Sequence, residues 1–110
     1  MANAAVVRPA EVWVPLDVDE TDYVQFDYSD MAEGDSIQSV VVTCEDLAAK
    51  DASASSRLSG AAQVNGLLVR QMVSGAVTGA SYLFRCKATM SSTRVLVQAG
   101  TADGLRVGAA

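Results

Sequence analysis

The chain has 110 residues and a formal net charge of −5; half of its residues are apolar, 19% are charged and none is histidine. That length holds one domain with one core, and the composition is not that of a disordered chain. The acidic balance disfavours nucleic acid as a partner, the lack of histidine removes His-based triads and histidine zinc sites, and no apolar run approaches the ~20 residues of a membrane-spanning helix. Met1 to Pro9 lacks a basic start followed by an apolar stretch, so no secretory signal is readable and a reducing cytosol is the expected compartment of synthesis.

In chain order, Val12-Trp13-Val14 before Pro15 reads as a short strand that the proline confines to an edge. Over residues 22–28, Val24, Phe26 and Tyr28 fall on one face while Gln25 and Asp27 fall on the other, the alternation of a half-buried strand. Residues 29–35, with Gly34-Asp35, are turn material. Residues 37–44 form the next strand, with Val40, Val42 and Cys44 in phase. Val41 adds a β-branched residue on the opposite face, which points to a central position in a sheet. Glu45 to Lys50 suits a helical turn capped by Thr43. Residues 51–66 are rich in Ala, Ser and Gly, show no periodicity, and end in the tight-turn dipeptide Asn65-Gly66. A strand follows over 67–73, then a Gly-bearing loop. In 81–89, Tyr82, Phe84, Cys86 and Ala88 alternate with Leu83, Arg85 and Lys87, the cleanest period-two segment of the chain. The last clear strand covers 94–98, with Leu105-Arg106-Val107 as a short additional strand or tail.

Short strands at this spacing, with turns between them and no amphipathic helix of useful length, predict an all-β fold, an immunoglobulin/fibronectin-like β-sandwich of about seven strands. The expected division is an N-terminal arm with a short edge strand over 1–20, the sandwich over 21–99, and a C-terminal strand or tail over 100–110. Gly79 followed by Tyr82 at the start of a long strand has the form of a tyrosine corner. Phe26, Val42, Tyr82 and Phe84 are the predicted core, and Trp13 is read as an aromatic cover at the edge of that core.

Chemistry is sparse. Counting from Asp17, the EF-hand pattern requires Gly sixth and Glu twelfth, and the chain has Asp22 and Tyr28 there, so Asp17 to Asp22 reads as a solvated acidic loop. Gly75-Ala76-Val77-Thr78-Gly79 has no following Lys and opens no helix, so it is not a phosphate cradle. Cys44 and Cys86 belong to no CxxC or metal spacing and lie in phase with apolar neighbours, as buried, reduced thiols do. No catalytic, cofactor-binding or metal residue is assigned.

Residues 22–39, Asp22 through Asp27-Tyr28-Ser29 to Gly34-Asp35-Ser36-Ile37, resemble the fiber–tail adaptors, small tail-associated proteins of bacteriophages. An acidic lead into a strand ending Asp-aromatic-Ser, then a turn with Gly-Asp-Ser-Ile, is that family's pattern. Val73-Ser74-Gly75, followed by Gly79-Ala80-Ser81-Tyr82, is similar to its glycine-rich step into an alternating strand. The chain departs from the family in carrying Val40-Val41-Val42 where a Trp is frequent, and in lacking a basic tail. The resemblance implies a non-enzymatic structural component of a tailed-phage virion, assembled in the host cytoplasm. Such a protein bridges tail or head–tail proteins to fibres, or decorates the particle. Its partners would be other phage structural proteins (tail, head–tail connector or fibre), and it would form a homo-oligomer or ring, with no nucleic acid, membrane or cofactor. The alternative is an immunoglobulin/fibronectin-like binding module of a bacterial surface protein.

Charge is split along the chain. Residues 1–55 hold twelve acids against two bases, a balance of −10, and residues 56–110 hold one acid against six bases, a balance of +5. The acids at 17–22, 27–35 and 45–46 are expected to form one acidic end. Arg70, Arg85, Lys87 and Arg94 are expected to form a basic sheet face.

Overall fold

A computed structural model describes residues 11–13, 15–29 and 34–106. Among these residues eight strands form two sheets, with one short 3₁₀ turn: β1 (Glu11–Val12), β2 (Leu16–Asp17), β3 (Thr21–Asp27), β4 (Ile37–Asp46), the turn Ala54–Arg57, β5 (Leu58–Asn65), β6 (Leu68–Ser74), β7 (Ser81–Met90) and β8 (Val95–Leu105). The first sheet has the order β4-β7-β8, with β1 and β2 both running parallel along the outer edge of β8; the second has the order β3-β6-β5. This is the strand arrangement of an immunoglobulin-like sandwich whose first strand has crossed to the last strand's edge.

The five strands read from periodicity lie where expected, to within two residues except at the end of β8. The alternating set in β7 builds the core: Tyr82, Phe84, Cys86, Ala88 and Met90 are all fully buried. Val24 and Phe26 of β3, and Tyr28 just beyond its end, face them from the second sheet. Trp13 joins the sheets at their side. Its ring meets Phe26 edge-on at 5.4 Å between centroids and Phe84 at 5.9 Å, and it lies so close over Gly100 that a Cβ there would stand 2.1 Å from the indole. The hydroxyl of Tyr28 donates to the carbonyl of Cys86 at 2.6 Å, a polar tie across the core.

The tyrosine corner is present. The Tyr82 hydroxyl accepts the Val77 N–H at 2.8 Å and donates to Asp51 at 2.7 Å. Asp51 pairs with Arg57 at 3.3 Å, and Arg57 in turn donates to the Gly75 carbonyl. One ring thereby fastens the loop after β4 to the loop between β6 and β7.

Four expectations change. Residues 58–65 are a strand although their sequence has no alternation, because a two-residue loop, Gly66-Leu67, folds them back onto β6. Gly66 opens that loop at φ 62°, where a residue with a Cβ is strained. β5 is bent by an irregularity between Ser59 and Gln63, and the buried amide of Gln71 donates to the Gly60 and Met72 carbonyls at 3.1 and 3.0 Å there. Second, β8 runs on to Leu105, since Gly100 and Gly104 leave room for Trp13 and for the Val77 carbonyl. Third, Glu45 and Asp46 extend β4 and are followed by a turn rather than a helix; the helical turn comes later, at Ala54–Arg57. Fourth, β4 is an edge strand, not a central one. Val42 is therefore only partly buried, and Val41 is 60% exposed.

Phe84 touches both Trp13 and Tyr82, so Phe84→Ala is expected to destabilise by about 3–5 kcal/mol, from lost transfer energy and the cavity left behind. Denaturant unfolding measures this. A loss below about 1 kcal/mol would show that the ring does not hold the sheets together.

Candidate interaction surfaces

Most of the acids hold loops. Asp46 ends β4 and accepts four backbone N–H groups: Ala48 at 2.9 Å, Ser81 at 2.8 Å, Lys50 at 2.5 Å and Asp51 at 2.7 Å. Burial pushes its carboxyl pKa up, but these donors outweigh that and hold it below the ordinary 3.8. At the other end, Asp35 accepts the hydroxyls of Ser92 and Ser91 and the Ser36 N–H, and pairs with Arg94 at 3.4 Å. The serine hydroxyls, chiefly, hold its pKa well below the usual carboxylate range. Asp35 thus clamps the β7–β8 hairpin onto the start of β4. Asp17 accepts the Asp19 N–H at 2.8 Å while Glu20 accepts that of Asp17 at 2.8 Å, so the acidic lead-in is a turn closed on itself.

The single acidic end does not form. The loop at 17–20 lies beside the end of β8 and shares its end of the sandwich with Asp46, whereas Asp27 and Asp35 lie at the opposite end. The seven residues of β3 stand between them, about 20 Å at ~3.3 Å per residue. The expected basic face is also divided. Arg85 and Lys87 share the outer face of the first sheet. Arg70 lies on the second sheet, over the Tyr23 ring at 4.5 Å and bonded to Gln25 at 2.9 Å. Arg94 belongs to the hairpin clamp.

The outer face of β3-β6-β5 is exposed, with Tyr23 and Met72, and so is that of β4-β7-β8. Its rows run Val41, Lys87, Val97 and Thr43, Arg85, Ala99 across the three strands, with Val95 at the far edge half exposed. Neither Arg85 nor Lys87 makes an ion pair with any described residue. A further open region, a groove of about 570 Å³, runs between the N-terminal arm and β3, lined by Trp13, Leu16, Tyr23 and Leu105 with Glu20 and Asp22 at its rim. Periodicity alone placed Arg85 and Lys87 outward; which residues stand beside them, Thr43 and Val41 on β4, needed the sheet order.

Among the described residues no cluster of His, Cys, Asp or Glu is arranged to hold a metal, and no helix is long and apolar enough to cross a membrane. Cys44 and Cys86 are free, buried and on neighbouring strands. Burial, then the charge of Asp51, pushes the Cys44 thiol up to about 12; burial raises that of Cys86 as well.

Both thiols are expected to resist a thiol reagent under native conditions at pH 8 and to react at once on unfolding. Fast native labelling would contradict the packing of β4 on β7. Because the Asp35 and Asp46 pKa values are lowered by folding, their contribution is present above the ordinary value of 3.8 and is lost as pH falls through the folded values. Thermal unfolding should therefore shift little between pH 7 and 5 and drop below about pH 4. Asp35→Asn and Asp46→Asn should each flatten that drop; unchanged acid sensitivity in both would remove the carboxylates as its cause.

No curated protein matches the sequence. Among protein families, residues 17–103 match the one described as podophage GP4 fiber-tail adaptor protein gp77. That span runs from β2 to near the end of β8, takes in the Asp46, Asp35 and Tyr82 clamps, and includes both segments whose residues resemble a phage adaptor. The chain belongs to the podophage fiber-tail adaptor family.

Proposed function

We propose that the chain is a non-enzymatic adaptor that bridges the tail of a phage particle to its fibres, in several copies arranged by the symmetry of the tail and assembled in the host cytoplasm. The observation that carries this reading is the family match over residues 17–103. The distribution of polar groups supports it. The carboxylates of Asp35, Asp46 and Asp51 are engaged in fastening loops, and no residue is proposed as catalytic, cofactor-binding or metal-binding. What such a chain offers a neighbour is rigid shape, sheet edges and a few unpaired charges. Repetition by rotational symmetry multiplies weak single contacts into firm attachment. The match is to a phage family, and no observation favours a bacterial surface module.

Deleting the gene from the phage tests the reading. Particles should retain heads and tails, lack fibres by electron microscopy, and recover them when the chain is supplied in trans. Fully fibred particles from the deletion would overturn the bridging role.

A further inference from the structure

Among the described residues the two sheets have four edges, and three of them are blunted. The arm on β8 is two dipeptide strands, β1 and β2, with Pro15 between them. On β3 the Tyr23 N–H is taken by Asp22 at 2.8 Å, and the Asp27 carbonyl by the Gln98 amide at 2.6 Å. β5 is bent between Ser59 and Gln63, with Gly60 at φ 74°.

β4 carries none of these devices along its middle. Its register with β7 is unbroken from Val40 to Asp46. Leu47 N–H donates to the Ser81 carbonyl at 2.8 Å, which sets the phase of the ladder. Glu45, Thr43 and Val41 therefore bond to β7, while Val40, Val42 and Cys44 turn their N–H and C=O groups to the open side. No described residue bonds to those groups. Beyond Cys44 the edge is closed, because the Ala49 N–H reaches the Asp46 carbonyl and the following loop folds back onto the Asp46 side chain.

This open stretch is β-branched, Val40-Val41-Val42-Thr43, and its outward Val41 is the most exposed large apolar side chain among the described residues. Beside it in register stand Lys87, opposite Val41, and Arg85, opposite Thr43, neither in an ion pair with a described residue, with Glu45 on the same face diagonal to Arg85. A further strand laid on β4 would lie about 10 Å from β7, a gap that a lysine or arginine and a facing glutamate together span. The free backbone groups specify an extended segment, and the cations specify its charge.

We propose, resting on the adaptor reading above, that β4 takes up a strand from a neighbouring virion protein, one whose outward alternate positions are acidic. Main-chain bonds to Val40, Val42 and Cys44 hold it, and Arg85 and Lys87 select it.

Hydrogen–deuterium exchange on the free chain and on the chain in purified virions tests this. In the free chain the amides of Val40, Val42 and Cys44 should exchange rapidly beside protected Val41 and Thr43. In the particle they should slow by roughly a hundred-fold or more. Val41→Glu and Lys87→Glu, each checked for an unchanged fold by circular dichroism, should reduce copies per particle by about ten-fold, while Lys87→Arg should retain them. If the chain is present in the particle but these amides exchange as in the free chain, the strand proposal fails and the adaptor reading stands. Protection that appears in the purified chain as its concentration rises would make a second copy the occupant and overturn the proposal. Absence of the chain from virions would overturn both.

Discussion

The structure depends on β7 being paired along its whole length on both sides. Its odd residues bond to β4 and its even residues to β8, so it can neither slide nor turn without breaking two ladders at once. That constraint fixes which side chains face the second sheet. Tyr82, Phe84, Cys86, Ala88 and Met90 go inward together, and a slip of one residue would bury Arg85 and Lys87 instead. Phe84 then meets Trp13, and Trp13 meets Phe26, so the register of one strand decides how the two sheets are joined.

The same register places the polar clamps. Tyr82 stands at the start of β7, where its hydroxyl reaches Val77 and Asp51, and Asp46 stands opposite it at the end of β4. At the far end Asp35 gathers Ser91, Ser92 and Arg94 of the hairpin that follows β7. A chain this acidic invites a reading in terms of metals or acid–base chemistry. Asp17, Asp27, Asp35 and Asp46 instead satisfy backbone donors in loops that have no sheet partners, which is a structural use of charge.

Immunoglobulin-like sandwiches must deal with their edges, since an open strand is a template for another. Here an interrupted arm, two side-chain caps and a bend deal with three of them. The fourth, irregular only between Ile37 and Ser39, is regular and β-branched from Val40 to Thr43 and is flanked by two cations that pair with no described residue. If β4 takes up a neighbour's strand as proposed, an edge open on one side only would give attachment a direction.

Much was legible in the sequence because strand alternation is a local signal. β3, β4, β6 and β7, the inward set Phe26, Tyr82 and Phe84, the tyrosine corner and the reduced cysteines all follow from residues a few positions apart. The family was legible too, from two short segments that set the order of turns and strands. What the sequence could not decide was pairing. β5 has no alternation and is a strand because β6 lies beside it. Val40-Val41-Val42 has the composition of a central strand, yet only the sheet order shows that nothing described covers its outer edge. Likewise the acids at 17–22 and 27–35 are neighbours in sequence but are separated by the length of β3. Alternation specifies which face of a strand is apolar; which strand lies beside it is set by contacts between residues far apart in the chain, and those only the tertiary structure determines.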